Sequence, residues 1–501
     1  MSHEQFSELR RLLTLSPSLK LWEQLIELLD KWPQDSSRNV ALDYCEAHIE
    51  HWSDGLRPRM LRRDKPDSKA PTRRLGRLLF SDLPPPELLK RLAEEDFPDS
   101  RHWVFQHMPD DKIWKQLDES GAFSQMEGFY GTPQKRDRQL QLAALENTFE
   151  SRRLKRWALA PVGTGSLDIL TMFQRESFAS LQHLVWRFSS TTGGTNLRRE
   201  LPLLHKASFL SSLRTLSLFY YMGVSVDLSA LFLEERLQDL KHLVFSGIYA
   251  SLSTWTALAN SATWESLEEL ELSNSLRNTA SFEALLCHSP PPKLQKLTLG
   301  NAENISLPRT LLPEMERHGW FEKLKTLELT GIKLPQSYAP LTQEPWRELE
   351  ELSFRGCTLN PTVLRWWFEK KELPKLRRLR FNNTALSKSA LSVLADCQWL
   401  SSVEILELNE CSITDEGLAA LLTSSNLGGL REVSLERNEL TNQSWATLRD
   451  SGLLEQWNVL YINRNHFTKG TKKAIRRVPS VELHHVSEHP VKWFNDVFLY
   501  N

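Results

Sequence analysis

The sequence predicts an α/β solenoid, in which a short parallel strand alternates with a helical return segment, preceded by an α-helical N-terminal domain. The main observation is an apolar frame, Leu-x-x-Leu-x-Leu, that returns at a nearly constant interval along the C-terminal two thirds of the 501-residue chain. The second observation is that segments between frames, such as 387–400 and 414–425, carry apolar residues at helical spacing after a capping residue.

The frame supplies both the repeat number and the repeat length. If other large apolar residues count as leucine, it begins at Leu154, Leu181, Leu213, Leu240, Leu267, Leu294, Leu324, Leu349, Leu376, Val403, Leu430 and Trp457. From Leu213 onward the steps are 27 residues, except for one of 30 and one of 25. A constant period of this length indicates units that are stabilised by stacking on their neighbours. We predict about twelve repeats over residues 151–485.

These repeats resemble the leucine-rich-repeat family, and the segment 413–422, ITDEGLAALL, resembles its longer, ribonuclease-inhibitor type. The position where the family carries a turn asparagine is occupied by Ile332, Cys357, Thr384, Cys411, Asn438 and Asn465. The asparagine ladder is therefore expected to be incomplete. The resemblance implies parallel strands on a concave face and helices on a convex face, and it says little about function.

The N-terminal residues 1–56 are predicted to form a separate helical domain. Three segments, 6–13, 21–29 and 41–52, have apolar residues at helical spacing. The stretch 15–39 resembles the small helical companion domain that precedes many leucine-rich-repeat arrays in bacteria, although the usual Tyr-Ala-Asp-Trp stretch of that family is missing. This resemblance implies a bacterial origin.

Residues 57–77 contain nine Lys or Arg, two Asp and three prolines. This composition predicts a basic, Pro-containing linker. As an alternative, the segment binds nucleic acid or an acidic partner through counterion release, but it has no aromatic residue on which bases could stack. Residues 78–150 return to helical patterns and are predicted to cap the first repeat.

The C-terminal residues 486–501 form an aromatic tail. Two interpretations stay open for it: the tail covers the last apolar edge of the repeats, or it is a docking peptide for a partner.

Charge and cysteine content narrow the function classes. The 62 Lys and Arg are balanced by 63 Asp and Glu, so no overall field directs the chain to nucleic acid. No stretch approaches the roughly 18 apolar residues that span a bilayer, and no signal-peptide core is evident at the N-terminus. The five cysteines are scattered, without a C-x-x-C pair. We expect a cytoplasmic protein without a membrane or nucleic-acid partner.

Motifs for catalysis or cofactor binding are missing from the sequence. There is no phosphate-binding loop with its Lys, no H-E-x-x-H and no G-x-S-x-G, and the glycine-rich run 162–166 is interpreted as a turn. Cys45, His48 and His51 lie near one face of a predicted helix and are the best metal candidates, but a helix that buries Cys45 and exposes the histidines is favoured. We expect no catalysis, no metal or cofactor, and no small-molecule substrate.

The candidate partner-binding residues follow from strand geometry. Leucines of the frame point inward, so the alternating residues project from the concave face. The candidates on that face are Phe219, Tyr220, Glu271, Glu328, Arg355, Arg378, Arg380, Glu407 and Tyr461. The hypothesis is that a protein partner docks there, with a basic element against Glu271 and Glu328 and an acidic element against Arg378 and Arg380. The alternative is an ordinary solvated face, with binding at an edge or on the convex side.

The function predicted from these observations is a non-catalytic protein-protein interaction scaffold or recognition subunit of a bacterial cytosolic signalling or defence complex. The alternative is a substrate-recognition subunit of a ubiquitin-ligase-like complex or a regulator of a small GTPase, roles that similar repeats have in other families. No motif in the N-terminal helices matches a ligase-docking box.

Overall fold

The computed structural model describes residues 2–14, 19–33, 35–49, 58–60, 77–80, 102–105, 128–131, 155–162, 178–188, 198, 201–276, 278–300, 311–334, 346–359, 361–368, 372–478 and 481–482. The chain divides into two compact units. The first contains residues 1–192, 206–213 and 486–501, and the second contains residues 193–205 and 214–485. The division falls inside the predicted repeat array, so the predicted domain limits stay predictions.

The first unit begins with three helices, α1 (Ser2–Leu13), α2 (Leu19–Asp30) and α3 (Ser36–Ile49), at the three segments that the sequence predicts to be helical. Their apolar faces form one buried cluster. In it, the Phe6 and Trp32 rings meet edge to face with centroids 4.9 Å apart. The companion-domain resemblance of this region stays an expectation.

Six short strands follow in the first unit, each parallel to the next. They are β1 (Pro58–Met60), β2 (Arg77–Phe80), β3 (His102–Phe105), β4 (Gly128–Gly131), β5 (Arg156–Val162) and β6 (His183–Phe188). Directly opposed residues from β2 to β6 are 25 to 28 residues apart, so the repeat period begins upstream of Leu154. The short segment 206–213, which also belongs to the first unit, contains a 3₁₀ turn (Leu210–Ser212).

Strands β1 to β4 lie in segments for which the sequence predicts other structure. A linker is expected over 57–77 and helices are expected over 78–150. The apolar frame is hard to recognise there because arginine and aromatic residues replace leucine, with Arg59, Trp103 and Phe129 at the register position of Leu78. Most of both segments lies outside the described residues.

The second unit is a leucine-rich-repeat α/β solenoid built on one parallel sheet, as predicted. Eleven described strands pair in chain order. They are β7 (Thr215–Val226), β8 (His242–Ala250), β9 (Glu269–Ser273), β10 (Lys296–Gly300), β11 (Thr326–Thr330), β12 (Glu351–Arg355), β13 (Arg378–Asn382), β14 (Ile405–Glu407), β15 (Glu432–Ser434), β16 (Val459–Tyr461) and β17 (Val481–Glu482).

Helical segments connect these strands. The described ones are α4 (Ser229–Leu233), α5 (Leu252–Ala259), α6 (Ala262–Ser266), α7 (Thr279–Leu286), α8 (Leu311–Arg317), α9 (Pro361–Phe368), α10 (Lys388–Ala395), α11 (Asp415–Leu422), α12 (Asn442–Asp450) and α13 (Lys469–Ile475), with 3₁₀ turns at Leu201–Lys206, Gln398–Ser402 and Leu453–Glu455. Many begin at a side chain that accepts a backbone N–H, as Thr414 does for α11. Among the helices described, none has the length and apolarity needed to cross a membrane.

The core of the second unit lies between the sheet and the helices. Frame residues such as Leu297, Leu329 and Leu379 are fully buried. The rings of Phe354 and Phe381, on adjacent strands, stack with centroids 5.2 Å apart. Each such side chain contributes about 2 kcal/mol when it is fully buried. Register is fixed by this face, because a slip of one residue would expose every leucine.

The ladder beyond the strands is continued by serine, cysteine and threonine where asparagine is missing. At the ladder position, Asn438 Nδ2 donates to the Leu408 carbonyl at 2.7 Å, and the Cys411 thiol donates to Phe381 at 2.6 Å. Bonds of the same kind come from Ser275, Cys357, Thr384 and Asn465. Side chains other than asparagine therefore also donate hydrogen bonds at this position, so more of the ladder is hydrogen-bonded than the sequence suggests.

Candidate functional site

The open face is defined here as the side of the second unit's sheet that carries the residues alternating with the buried leucines. Its central column runs in direct register through Ser217, Val244, Glu271, Thr298, Glu328, Ser353, Arg380, Glu407, Ser434 and Tyr461. The residues of this column are thus neighbours from strand to strand over β7–β16.

Two arginines of the open face, Arg378 and Arg380, already have carboxylate partners within the chain. Arg380 forms ion pairs with Glu351 and with Glu407, the latter at 2.9 Å, and Arg378 lies 3.3 Å from Glu351. Burial acts to lower the pKa of Arg380, but Glu407 and Glu351 outweigh it, so the pKa is raised. The hypothesis of an acidic partner element at these arginines needs correction, since such an element would have to compete with two intramolecular glutamates.

Two glutamates of the same column lack such partners. Glu271 Oε1 accepts a hydrogen bond from the Ser273 hydroxyl at 3.1 Å, and Glu328 Oε1 accepts one from Thr330 at 3.5 Å. In the part of the chain that the structure describes, neither carboxylate forms an ion pair. Burial is the main cause that raises the pKa of Glu271 to about 7; Lys296 and Ser273 act against it, while Glu328 and Glu269 add to it.

Thr298 lies between these two glutamates, directly opposite both. It is 3% exposed, and among the described residues its hydroxyl oxygen has no hydrogen-bond partner. Gly300, the next residue on the same face, lies close to Ser273 of β9, since an added Cβ would be 3.3 Å from the Ser273 hydroxyl oxygen. The sequence places Thr298 in the central column, but only the coordinates show that its hydroxyl is buried without a partner.

Phe219 and Tyr220 do not belong to an accessible surface, and this part of the site prediction is corrected. They are 8% and 5% exposed, respectively. Both residues lie at an irregularity in β7, whose register with β8 shifts between Phe219 and Val224. The Tyr220 carbonyl packs directly on Gly247, where an added Cβ would lie 1.8 Å from the carbonyl oxygen.

The remaining predicted residues are spread along the face. Arg355 is half-buried and lies in register between Thr330 and Asn382. Tyr461 is half-buried on β16, three strands from Arg380. The structure therefore separates an acidic group at Glu271 and Glu328 from a charge-paired group at Arg378, Arg380 and Glu407.

A groove of about 600 Å³ lies on the helical side of the second unit. Its apolar lining includes Leu233 and Leu252, which are 68% and 53% exposed. This groove is the convex-side alternative for partner binding.

The metal candidates of α3 do not form a shared site within the described residues. Cys45 is buried, His48 is exposed with Nδ1 2.8 Å from the Tyr44 carbonyl oxygen, and His51 lies outside the described residues. Within the described residues, no group of three or more His, Cys, Asp or Glu could hold a metal ion. Burial raises the pKa of the Cys357 and Cys411 thiols to about 11 and about 12, which keeps them protonated.

The fold and its open face define the class of this chain: a leucine-rich-repeat α/β solenoid with a charged sheet face. No protein-family model and no curated protein matches the sequence. Among solved structures, the complex of TLR13 with ssRNA13 has a TM-score of 0.40 and 16% identity, over 75% of this chain and 57% of that one.

Two further structures are similar over the same share of the chain. The yeast complex of Rad7 and Elc1 has a TM-score of 0.40 and 17% identity, with 87% of that chain covered. A protein from Bacteroides fragilis has a TM-score of 0.27 and 14% identity, with 76% covered. The chain thus spans just over half of the TLR13 chain, and at these values no partner or activity carries over to it.

Proposed function

We propose that this protein is a non-catalytic recognition subunit or interaction scaffold that binds a protein partner on the open face of the second unit. The observation that carries the proposal is the acidic group at Glu271 and Glu328, neither of which forms an ion pair within the described residues, beside Arg378 and Arg380, which are already paired. Uneven charge of this kind steers and orients a protein partner of complementary charge.

The further proposal is that the complex belongs to a bacterial cytosolic signalling or defence system. Its support is the companion-domain resemblance of residues 15–39, together with five free cysteines, which suit a reducing compartment. The buried and protonated Cys357 and Cys411 are unsuited to nucleophilic catalysis, in keeping with a binding role.

Site-specific photocrosslinking in the source cells tests where the partner binds. A photoreactive amino acid replaces Thr326, which is on the open face between Lys296 and Glu351. The matched position is Thr256, exposed on α5 beside the convex groove. We expect one protein to crosslink from Thr326 and not from Thr256. Crosslinking from Thr256 alone would contradict the proposal, and the captured protein, if a ligase subunit or a small GTPase, would favour the alternative function.

A further inference from the structure

Glu271, Thr298 and Glu328, here called the anchor triad, lie side by side on β9, β10 and β11. Neighbouring strands are roughly 4.8 Å apart, so the backbones of the two glutamates are separated by roughly 10 Å. The short Thr298 side chain and Gly300 form the floor between them. The two carboxylate side chains therefore flank a position on the open face that is occupied by a shorter side chain.

The charge balance around the triad is negative. The charged groups that face Glu271 are Glu269, Glu328 and Lys296, and the Lys296 ammonium lies 3.6 Å from Glu269. Arg380 also interacts with Glu328, but it forms ion pairs with Glu351 and Glu407. His242 on β8 is opposite Glu269 in register. Partly buried carboxylates that repel each other are stabilised by an added cation.

Thr298 supplies an independent indication of a ligand. Its neighbours Leu297 and Leu299 are fully buried on the core side, so its side chain points to the opposite side, between the two glutamates. A buried hydroxyl without a hydrogen-bond partner destabilises the folded chain, because it has lost its hydrogen bonds to water. A donor placed between the carboxylates would remove that cost.

The same sheet contains an occupied arrangement of this kind. On β13, the guanidinium of Arg380 lies between Glu351 of the preceding strand and Glu407 of the following strand. Arg380 is directly opposite Glu407, whereas Glu351 lies two residues away along its strand, in register with Arg378. In the anchor triad both carboxylates are directly opposite the central residue, which is the small Thr298. The anchor triad therefore lacks the guanidinium that Arg380 supplies in the other group.

We propose that the anchor triad binds the guanidinium of one arginine side chain of a protein partner, with Glu271 and Glu328 as ion-pair acceptors and Thr298 as the acceptor on the floor. This rests on the proposed function, since it places the partner on the open face. A planar fork of N–H donors suits two carboxylates on separate strands better than a compact ammonium does.

The test uses the full chain and a fluorescein-labelled peptide of four arginines separated by Gly-Ser pairs, followed by fluorescence polarisation at low ionic strength. The double variant Glu271→Gln/Glu328→Gln is expected to bind this peptide at least about tenfold more weakly, and Thr298→Val about threefold. The matched control Glu416→Gln/Glu439→Gln, with the same charge change at exposed sites, is expected to retain wild-type affinity.

Peptides with citrulline or lysine in place of arginine complete the design. The citrulline peptide is expected to bind all variants equally weakly, and the lysine peptide is expected to bind the wild type several-fold more weakly than the arginine peptide. Unchanged affinity of the Glu271→Gln/Glu328→Gln variant, or equal affinity for arginine and citrulline peptides, would overturn the proposal. Equal affinity for lysine would overturn the choice of a guanidinium.

Rejection of the anchor triad and rejection of the proposed function give different experimental results. If Thr326 still crosslinks the partner while the glutamine substitutions leave peptide binding unchanged, the anchor triad is rejected and the open-face scaffold stands. If the partner crosslinks only from Thr256, the scaffold proposal itself is rejected.

Discussion

At the residue scale, the ladder position shows how different side chains perform one structural task. Asn438 donates to the Leu408 carbonyl and its Oδ1 accepts from Cys411 and Ile413 at 3.0 and 3.1 Å. Thr384 donates to the Phe354 carbonyl and accepts only from Cys357. The sequence predicts the position from the repeat frame, whereas the number of bonds that each substitute makes depends on atomic geometry.

Asn438→Ala is expected to lower the free energy of unfolding by about 3 kcal/mol, because three buried backbone groups lose their partner. Thr384→Ala, with fewer bonds lost, is expected to cost about half as much. Urea unfolding followed by tryptophan fluorescence measures both. A larger loss for Thr384→Ala would contradict this account of the ladder.

The acidic group gives a second prediction at this scale. The folded pKa of Glu271, about 7, is above its ordinary value of 4.5, so the folded chain holds a proton that the unfolded chain releases. Stability should therefore fall as the pH rises from about 4.5 to about 7, and the full cost remains above that window.

Glu271→Gln removes this titration. At pH 8 the variant is expected to be more stable than the wild type by roughly 1 to 3 kcal/mol, and at pH 4, below the ordinary pKa of the carboxyl, the difference should nearly vanish. Thermal unfolding at the two pH values measures the effect, with Glu439→Gln as an exposed control. A stability difference that does not change with pH would refute the raised pKa.

At the element scale, the sequence predicts the strands well where leucine fills the frame and poorly where it does not. Residues 102–105 and 128–131, HWVF and GFYG, are strands without a leucine, and their pattern does not reveal the repeat. The burial of Phe219 and Tyr220 also escapes sequence reasoning, because a uniform repeat assumes strands of equal length. β7 has 12 residues, and its register with β8 shifts just after Phe219.

Gly247 tests the packing of this irregular strand. Its φ is +67°, and a Cβ would collide with the Tyr220 carbonyl, so Gly247→Ala is expected to cost at least about 3 kcal/mol. Gly428 has nothing within 4 Å of an added Cβ, and Gly428→Ala should change stability by less than about 0.5 kcal/mol. Equal stability of the two variants would rule out the close approach of β7 and β8.

At the scale of the whole molecule, the second unit is a stack in which each described strand pairs with its neighbours in sequence. Stability in such an array is a sum of local terms, so distant repeats unfold separately. The formal net charge of −1 does not reveal that the open face has an acidic group at one place and paired arginines at another. This separation becomes visible only from the strand register.

Leu460→Ala tests this distribution of stability. Leu460 is fully buried in β16, and its truncation is expected to cost about 2 to 5 kcal/mol. Hydrogen exchange should show loss of amide protection in β14–β17, while β8–β10 keep theirs. Uniform loss across all strands would indicate one cooperative body instead.

The central claim is that a protein partner occupies the open face. The most direct measurement is the affinity of the crosslinked partner for the full chain carrying Thr326→Trp or Thr256→Trp, by isothermal titration calorimetry. The account predicts that the indole on the open face weakens binding at least about a hundredfold and that the one on α5 has no effect, since a bulky group at a packed interface costs several kcal/mol. Unaltered binding by Thr326→Trp, with loss by Thr256→Trp, would contradict it.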